Sequence, residues 1–347
     1  MRENRMPLGQ IVVLLVVIGG LLLLLINRPA PLQIMSLAVI AKTSQDDGTL
    51  FRVDADGSHL QQLADHVRPW FAPNWSLDGK QILFVAESDL WIVDADATNK
   101  RQLTHNANLS YQPAWSPDEQ SIVLISNNNL AVIDLNGTTL RHITNQAKPD
   151  ATTQDEYGYF DPSWSPDGKY IAFEGYNRIT KNNNIFIVDA DCANPDLCEN
   201  QFPGINSPLD ELSYDWSPDS QSIVFGSVRS KTRLLKLYVI NLTNGITQQL
   251  TNDSLTDISP NWSPDGEKIS FGSVTKDMSQ QFIRLIYVDG REGWTLPVDE
   301  ATQIAWSPDS QLLVYGIGEN LYLRAEDGST RTINFPNMDT LTFAWRP

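Results

Sequence analysis

Histidine and cysteine are scarce in this chain, at four and two among 347 residues. The histidines (His59, His66, His105 and His142) form no His-x-x-x-His pair, and Cys192 and Cys198 stand alone in one loop. Neither residue type therefore supplies the convergent donor set of a zinc site. Positive charge is short as well: 25 Lys and Arg stand against 42 Asp and Glu, for a formal net charge of -17. Without clustered basic residues there is no footprint for phosphate neutralisation, which excludes nucleic acid as an expected partner. A Gly-x-Ser-x-Gly elbow is also missing, and with it the exposed nucleophilic serine that such a turn presents.

Uninterrupted apolar sequence occurs at one place, Ile11 to Ile26, preceded by Arg2 and Arg5. A helix over residues 8–26 is long enough for roughly 30 Å of hydrocarbon. Basic residues before it and acidic protein after it place the N-terminus in the cytoplasm and the rest outside. The segment ends in Asn27-Arg28-Pro29-Ala30-Pro31, a poor cleavage site, so the expectation is an uncleaved signal-anchor over residues 1–30, then a linker over 31–36. The alternative is a cleaved signal peptide and a secreted protein. In an exported domain, Cys192 and Cys198 are expected to staple their own loop as a disulfide.

What is abundant is one phrase, written around Trp75, Trp115, Trp164, Trp216, Trp262, Trp306 and Trp345. Successive tryptophans lie 40, 49, 52, 46, 44 and 39 residues apart, the period of a four-stranded propeller blade. In Trp164-Ser165-Pro166-Asp167-Gly168 the serine opens a turn, Pro166 presets φ, Asp167 caps its own backbone and Gly168 takes the left-handed conformation. An apolar strand follows each turn, such as Gln81 to Val85. A third ends in aspartate, as in Leu90 to Asp94, and a fourth is polar, as in Lys100 to Thr104. These alternations suit pleated, half-buried strands and a wet outer edge. Residues 37–64 hold a second, third and fourth strand with no first, while Thr342 to Pro347 is a first strand with nothing after it. Pairing the two ends closes a ring. The expected fold is all-β: a seven-bladed β-propeller over residues 37–347, closed by pairing of C-terminal and N-terminal strands, behind one N-terminal transmembrane helix.

The phrase Trp-Ser-Pro-Asp-Gly with an apolar strand, an Ile-x-Val-Asp strand and a Gln-Leu-Thr strand resembles the propeller repeats of the TolB family, over residues 37–347. It is similar, too, to the propeller of prolyl oligopeptidase-like enzymes. The resemblance implies a propeller and leaves activity open, because such folds host unrelated functions.

Connectors leading from a fourth strand to the next first strand emerge on one propeller face. Twelve acids are assigned to them, among them Asp155, Glu156, Asp161, Asp210, Glu211 and Asp257, against the basic Arg68 and Lys148. Such a face focuses negative potential. Tyr157 and Tyr159 in the longest connector and Trp70 in the first add aromatic area suited to a protein contact. Phe71, Tyr111 and Tyr214 are expected to pack between blades, and Tyr157 to be exposed. The expected function is a non-enzymatic protein-binding or peptide-binding module, membrane-attached, without a cofactor, with calcium as a candidate ligand of the acidic face. The alternative is a hydrolase or lyase acting on a carbohydrate, lactone or peptide at the channel mouth. Convergence separates the two, since catalytic carboxylates must meet within about 5 to 10 Å in a concave pocket.

Overall fold

The computed structural model describes residues 35–44, 47–109, 111–127, 129–144, 157–177, 181–192, 202, 205, 210–229, 233–301 and 303–347. The expected anchor over residues 8–26 lies outside them. Among the described residues no helix is long and apolar enough to cross a membrane.

Each tryptophan phrase folds as its chemistry dictates. The serine hydroxyl donates to the aspartate two residues on, at 2.6 to 2.8 Å in all six copies that carry both residues, from Ser76–Asp78 to Ser307–Asp309. It also accepts the amide five residues on, so one buried side chain closes the corner from both sides. The turn's last residue is left-handed throughout: Gly79, Gly168 and Gly266 alternate with Glu119, Ser220 and Ser310. Where glycine is missing, the side chain reaches back to the preceding copy. Glu119 accepts the Asp78 amide at 2.6 Å, Ser220 that of Asp167 at 2.9 Å and Ser310 that of Asp265 at 2.9 Å. The Gln-Leu-Thr ending has a local reason as well, because Thr104, Thr144 and Thr251 accept the amides of Leu90, Leu130 and Leu237 with their hydroxyls.

The strands assemble into antiparallel sheets in a propeller-like, all-β arrangement. Four sheets are four-stranded meanders, beginning at Ala114–Trp115, Glu211–Trp216, Thr256–Trp262 and Ile304–Trp306. A three-stranded one comprises Tyr157–Trp164, Tyr170–Asn177 and Asn182–Asp189. The remaining sheet joins two four-stranded runs through the pair Val67–Ala86. One of these runs is completed by the far end of the chain: Asp339–Trp345 pairs antiparallel with Ser36–Ser44, setting Phe343 opposite Val39 and Trp345 opposite Leu37.

Seven apolar clusters form the core among the described residues, six shared by neighbouring sheets and one lying between the two runs of the joined sheet. Val314, Leu321 and Leu323 of the last sheet pack with Leu37, Val39 and Phe343 of the first, so the series returns on itself. Indole N–H groups stitch neighbours together: Trp75 donates to the Ala344 carbonyl at 3.2 Å, Trp115 to Asn74 at 3.3 Å and Trp306 to Asn261 at 3.2 Å.

Close approach makes one glycine indispensable. At Gly137, φ is +82° and a Cβ would sit 1.7 Å from the Leu103 carbonyl oxygen, whereas Gly57, at φ +86°, faces open space. Gly57→Ala is expected to cost about 1 kcal/mol through backbone strain alone. Gly137→Ala should cost at least ~2 kcal/mol, because the hairpin must also move off its neighbour. Urea unfolding of both variants measures the difference, and equal losses would refute the packing argument.

Candidate functional site

Inner strands of three consecutive sheets carry the same irregularity. The register slips between Phe160 and Ser163, between Leu212 and Tyr214, and between Ile258 and Asn261. At those bulges Asp161, Ser213 and Ser259 adopt φ of 49°, 49° and 50°. Bulges of this kind re-aim side chains and gather beside functional sites. They also lengthen the inner strands to six to eight residues, where Asn74–Trp75 and Ala114–Trp115 have two.

The bulges border a cavity of about 430 Å³ where five inner strands converge. Its wall comprises Asn74, Gln112 to Ala114, Asp161 to Ser163, Glu174, Ser213 to Asp215 and Ser259 to Asn261, without one basic side chain among the described residues. Asp161 lines this space as an exposed residue, with no hydrogen-bond partner on its carboxylate among the described residues; partial desolvation by the surrounding walls raises its carboxyl. Glu174 sits behind it, 5 % exposed, with Oε1 accepting the Ser213 amide at 2.7 Å. Burial, then the Asp161 charge, push Glu174 up to about 8 against the weaker pull of that amide. The Tyr214 hydroxyl donates to the Asp161 carbonyl at 2.6 Å and lies 3.0 Å from the Ser163 hydroxyl. Burial holds it well above the usual phenol range. Tyr111, tilted against Phe160 at 5.4 Å, is raised by burial and by the charges of Asp161 and Glu174.

Asp215 lines the same cavity but serves the frame. Its two oxygens accept the amides of Trp216 at 2.9 Å and Trp262 at 2.6 Å, tying one inner strand to the next. Burial pushes it up to about 7 despite those amides.

The residues singled out from sequence part company here. Asp161 reaches the cavity. Asp155 and Glu156 lie outside the described residues, while Tyr157 and Tyr159 are placed by backbone alone, in the strand Tyr157–Trp164. Asp210 accepts the Asn183 amide at 2.9 Å. Glu211 and Asp257 lie within inner strands rather than in connectors, because the bulges extend those strands. Both are fully buried and ion-paired: Glu211 to Arg229 at 3.0 Å, Asp257 to Lys236 at 3.2 Å and Arg284 at 3.6 Å. Arg68 donates to the Ser88 hydroxyl at 3.0 Å. Trp70 is 54 % exposed beneath the Lys42 ammonium at 4.4 Å. Phe71, Tyr111 and Tyr214 are half-buried against core clusters. Cys192 ends the turn after Asn182–Asp189, and Cys198 lies outside the described residues. No group of three or more His, Cys, Asp or Glu is arranged to hold a metal among the described residues.

Sequence reasoning missed Glu174, although a signal was present. In the second strands the place of Glu174 is taken by Val85, Ile125, Gly226, Gly272 and Gly316, so a charge there is exceptional. An acid raised on folding favours the native state below its unfolded value near 4.5, and that contribution is lost as pH climbs toward 8. Glu174→Gln keeps the acceptor for Ser213 and removes the ionisation. Its melting temperature is therefore expected to match wild type near pH 5 and to exceed it by several degrees near pH 9. A constant offset across that range would refute the burial argument.

A model of the TolB beta propeller domain matches residues 149–335. No curated protein matches the chain. Among solved structures it is similar to an oligogalacturonate lyase from Vibrio parahaemolyticus, with TM-score 0.62 and 15% identity over 85% of this chain and 87% of that one. The periplasmic gluconolactonase of Pseudomonas aeruginosa gives 0.62 and 14% over 91% and 100%. TolB from Acinetobacter baumannii gives 0.55 and 19% over 90% and 83%. At these identities the likeness carries the fold alone.

Proposed function

Because the chain belongs to the TolB beta propeller domain family, whose model covers more than half of it, we propose that it is a seven-bladed extracytoplasmic propeller that binds a cationic protein segment in the cavity between its inner strands. The observation that carries this reading is the wall itself: Asp161 and Glu174 border one space with no basic side chain beside them among the described residues. Two carboxyls this close in low dielectric cannot both ionise at little cost, so Glu174 stays protonated, and an entering cation would let both carry charge. The acids farther along the same strands offer no such site, being neutralised by Arg229, Lys236 and Arg284. Seven core clusters, counted around the series, support seven blades. Residues 8–26 would anchor the protein with the propeller outside the cytoplasm, where a Cys192–Cys198 disulfide would persist. Asp155, Glu156, Tyr157 and Tyr159 would extend the docking surface beyond Asp161, with Trp70 near the first connector. Calcium is the competing occupant, tested by calorimetric titration, where heat and stabilisation on adding it would favour the ion.

Panning a random peptide-display library against the immobilised protein tests this directly. Enrichment of Arg and Lys that disappears against Asp161→Asn is the expected result. Neutral or acidic consensus peptides, or the same basic consensus against the variant, would overturn it.

One observation favours a second reading. Glu174, protonated at neutral pH, and Asp161, an acid beside it, have the roles of general acid and base on a carbohydrate or lactone. Glu174 is held by the Ser213 amide and nearly covered, which suits a charge reservoir better than a proton donor to a bulky substrate. Turnover of an oligosaccharide or lactone by wild type and not by Glu174→Gln would decide for catalysis.

A further inference from the structure

Glu174 lies on the middle strand of the three-stranded sheet, opposite Phe160 on one side and Ile185 on the other. Among the described residues, every titratable group facing it is acidic or phenolic. Asp161 comes from the strand Tyr157–Trp164, Tyr214 and Asp215 from Glu211–Trp216, and Tyr111 from the segment before Ala114–Trp115. The side chain is more than nine-tenths buried and borders the cavity, one oxygen taken by the Ser213 amide. The other, Oε2, has no donor among the described residues. A carboxyl oxygen without a donor, on a side chain that is almost wholly covered but borders the cavity, beside the exposed Asp161 carboxylate without one, makes a pair of acceptors that a cationic head group entering the cavity would meet.

Resting on the reading that the cavity takes a cationic segment, we propose that one guanidinium or ammonium group docks between Asp161 and Glu174 and that its arrival drives the proton of Glu174 into solvent. Without the cation the carboxyl keeps its proton at neutral pH, for the reasons of burial and Asp161 charge already given. With the cation against Oε2, the ionised form gains its missing partner and the repulsion from Asp161 is offset. One O–H bond breaks, the proton passes to buffer, and one charge-assisted hydrogen bond forms. Linkage then fixes the sign: affinity rises with pH below the free-site value near 8 and levels off above it. The partner's grip would weaken in an acidified compartment.

The probe is N-acetyl-argininamide, with the neutral N-acetyl-citrullinamide as control, titrated calorimetrically in two buffers of different ionisation enthalpy. At pH 7 the arginine probe is expected to bind with close to one proton released. Its affinity should rise about tenfold from pH 6 to 7, about fivefold from 7 to 8, and little beyond pH 9. Glu174→Gln, which keeps the acceptor for Ser213, should bind with a flat pH profile and no proton release. Equal binding of the citrulline probe, a flat wild-type profile, or a pH dependence retained in Glu174→Gln would each overturn the proposal. If the arginine probe fails to bind while basic peptides are still enriched and lost with Asp161→Asn, this inference falls and the binding function stands. If neither occurs, both fall.

Discussion

Deleting Asp339–Pro347 is expected to abolish the cooperative thermal transition of the whole protein, although only nine residues are lost. Leu341, Phe343 and Trp345 are buried in the cluster that joins the first sheet to the last. The strand they belong to hydrogen-bonds to Ser36–Ser44 on one side. On the other, Gln303 mimics a strand partner, its amide donating to the Phe343 carbonyl at 3.0 Å and its oxygen accepting the Phe343 amide at 3.0 Å. The Trp75 indole and the Arg346 amide add bonds to both flanks. Removal strips three large apolar side chains and bares the edge of a strand whose side chains are buried, a template for aggregation. Phe343→Ala alone should cost ~3–5 kcal/mol, a large part of a typical stability of about 5–15 kcal/mol. That variant is expected to fold and melt roughly 5–15 °C lower, while the truncation shows no transition. A truncated chain melting cooperatively within a few degrees of the full one would contradict closure.

The second large effect is expected at Lys236. This lysine is 1 % exposed and donates to Asp253 at 2.6 Å, to Asp257 at 3.2 Å and to the Leu255 carbonyl. Asp257 is fully buried and also accepts the Ser273 hydroxyl at 2.6 Å. Arg284 completes the group against Asp253 and Asp257. Lys236→Met retains most of the packing but leaves Asp257 short of its nearer cation, which should cost ~3–5 kcal/mol. Lys236→Met combined with Asp257→Asn removes the stranded charge, and most of that loss should be recovered. Urea denaturation of the three proteins measures the cycle. A single variant within ~0.5 kcal/mol of wild type, or a double variant that is worse still, would show that the pair does not hold the fold in this way.

The repeat was legible because its determinants are local. Ser165, Asp167 and Gly168 settle their own corner within a few residues, and Thr342 to Trp345 repeats the first-strand phrase that residues 37–64 lack, the two segments being paired in the fold. The cavity was less legible because its determinants are not local. Nothing in the identity of Ser213 or Ser259 announces a left-handed residue, a conformation more often left to glycine, asparagine or aspartate, and Asp161 alone is too common a residue to signal a bulge. Those bulges drew Glu211 and Asp257 out of presumed connectors into buried strands. Their cations, Arg229, Lys236 and Arg284, lie 18 to 27 residues away in sequence. An acid counted along a chain is therefore a poor guide to charge on a surface, and the twelve connector acids overstated the negative face. Glu174 was hidden for the opposite reason: it stands inside an apolar strand, where an acid reads as an exception to pattern and not as part of a site.

The claim on which the function turns is that a basic segment enters the cavity between the inner strands. Site-specific photocrosslinking tests it most directly, with benzoylphenylalanine placed at Gln112 on the cavity wall or at Gln248 on an outer strand, and an arginine-bearing peptide recovered by panning as the target. The account predicts crosslinks from position 112 that are lost with Asp161→Asn, and none from position 248. Crosslinks from position 248 with none from position 112 would contradict it.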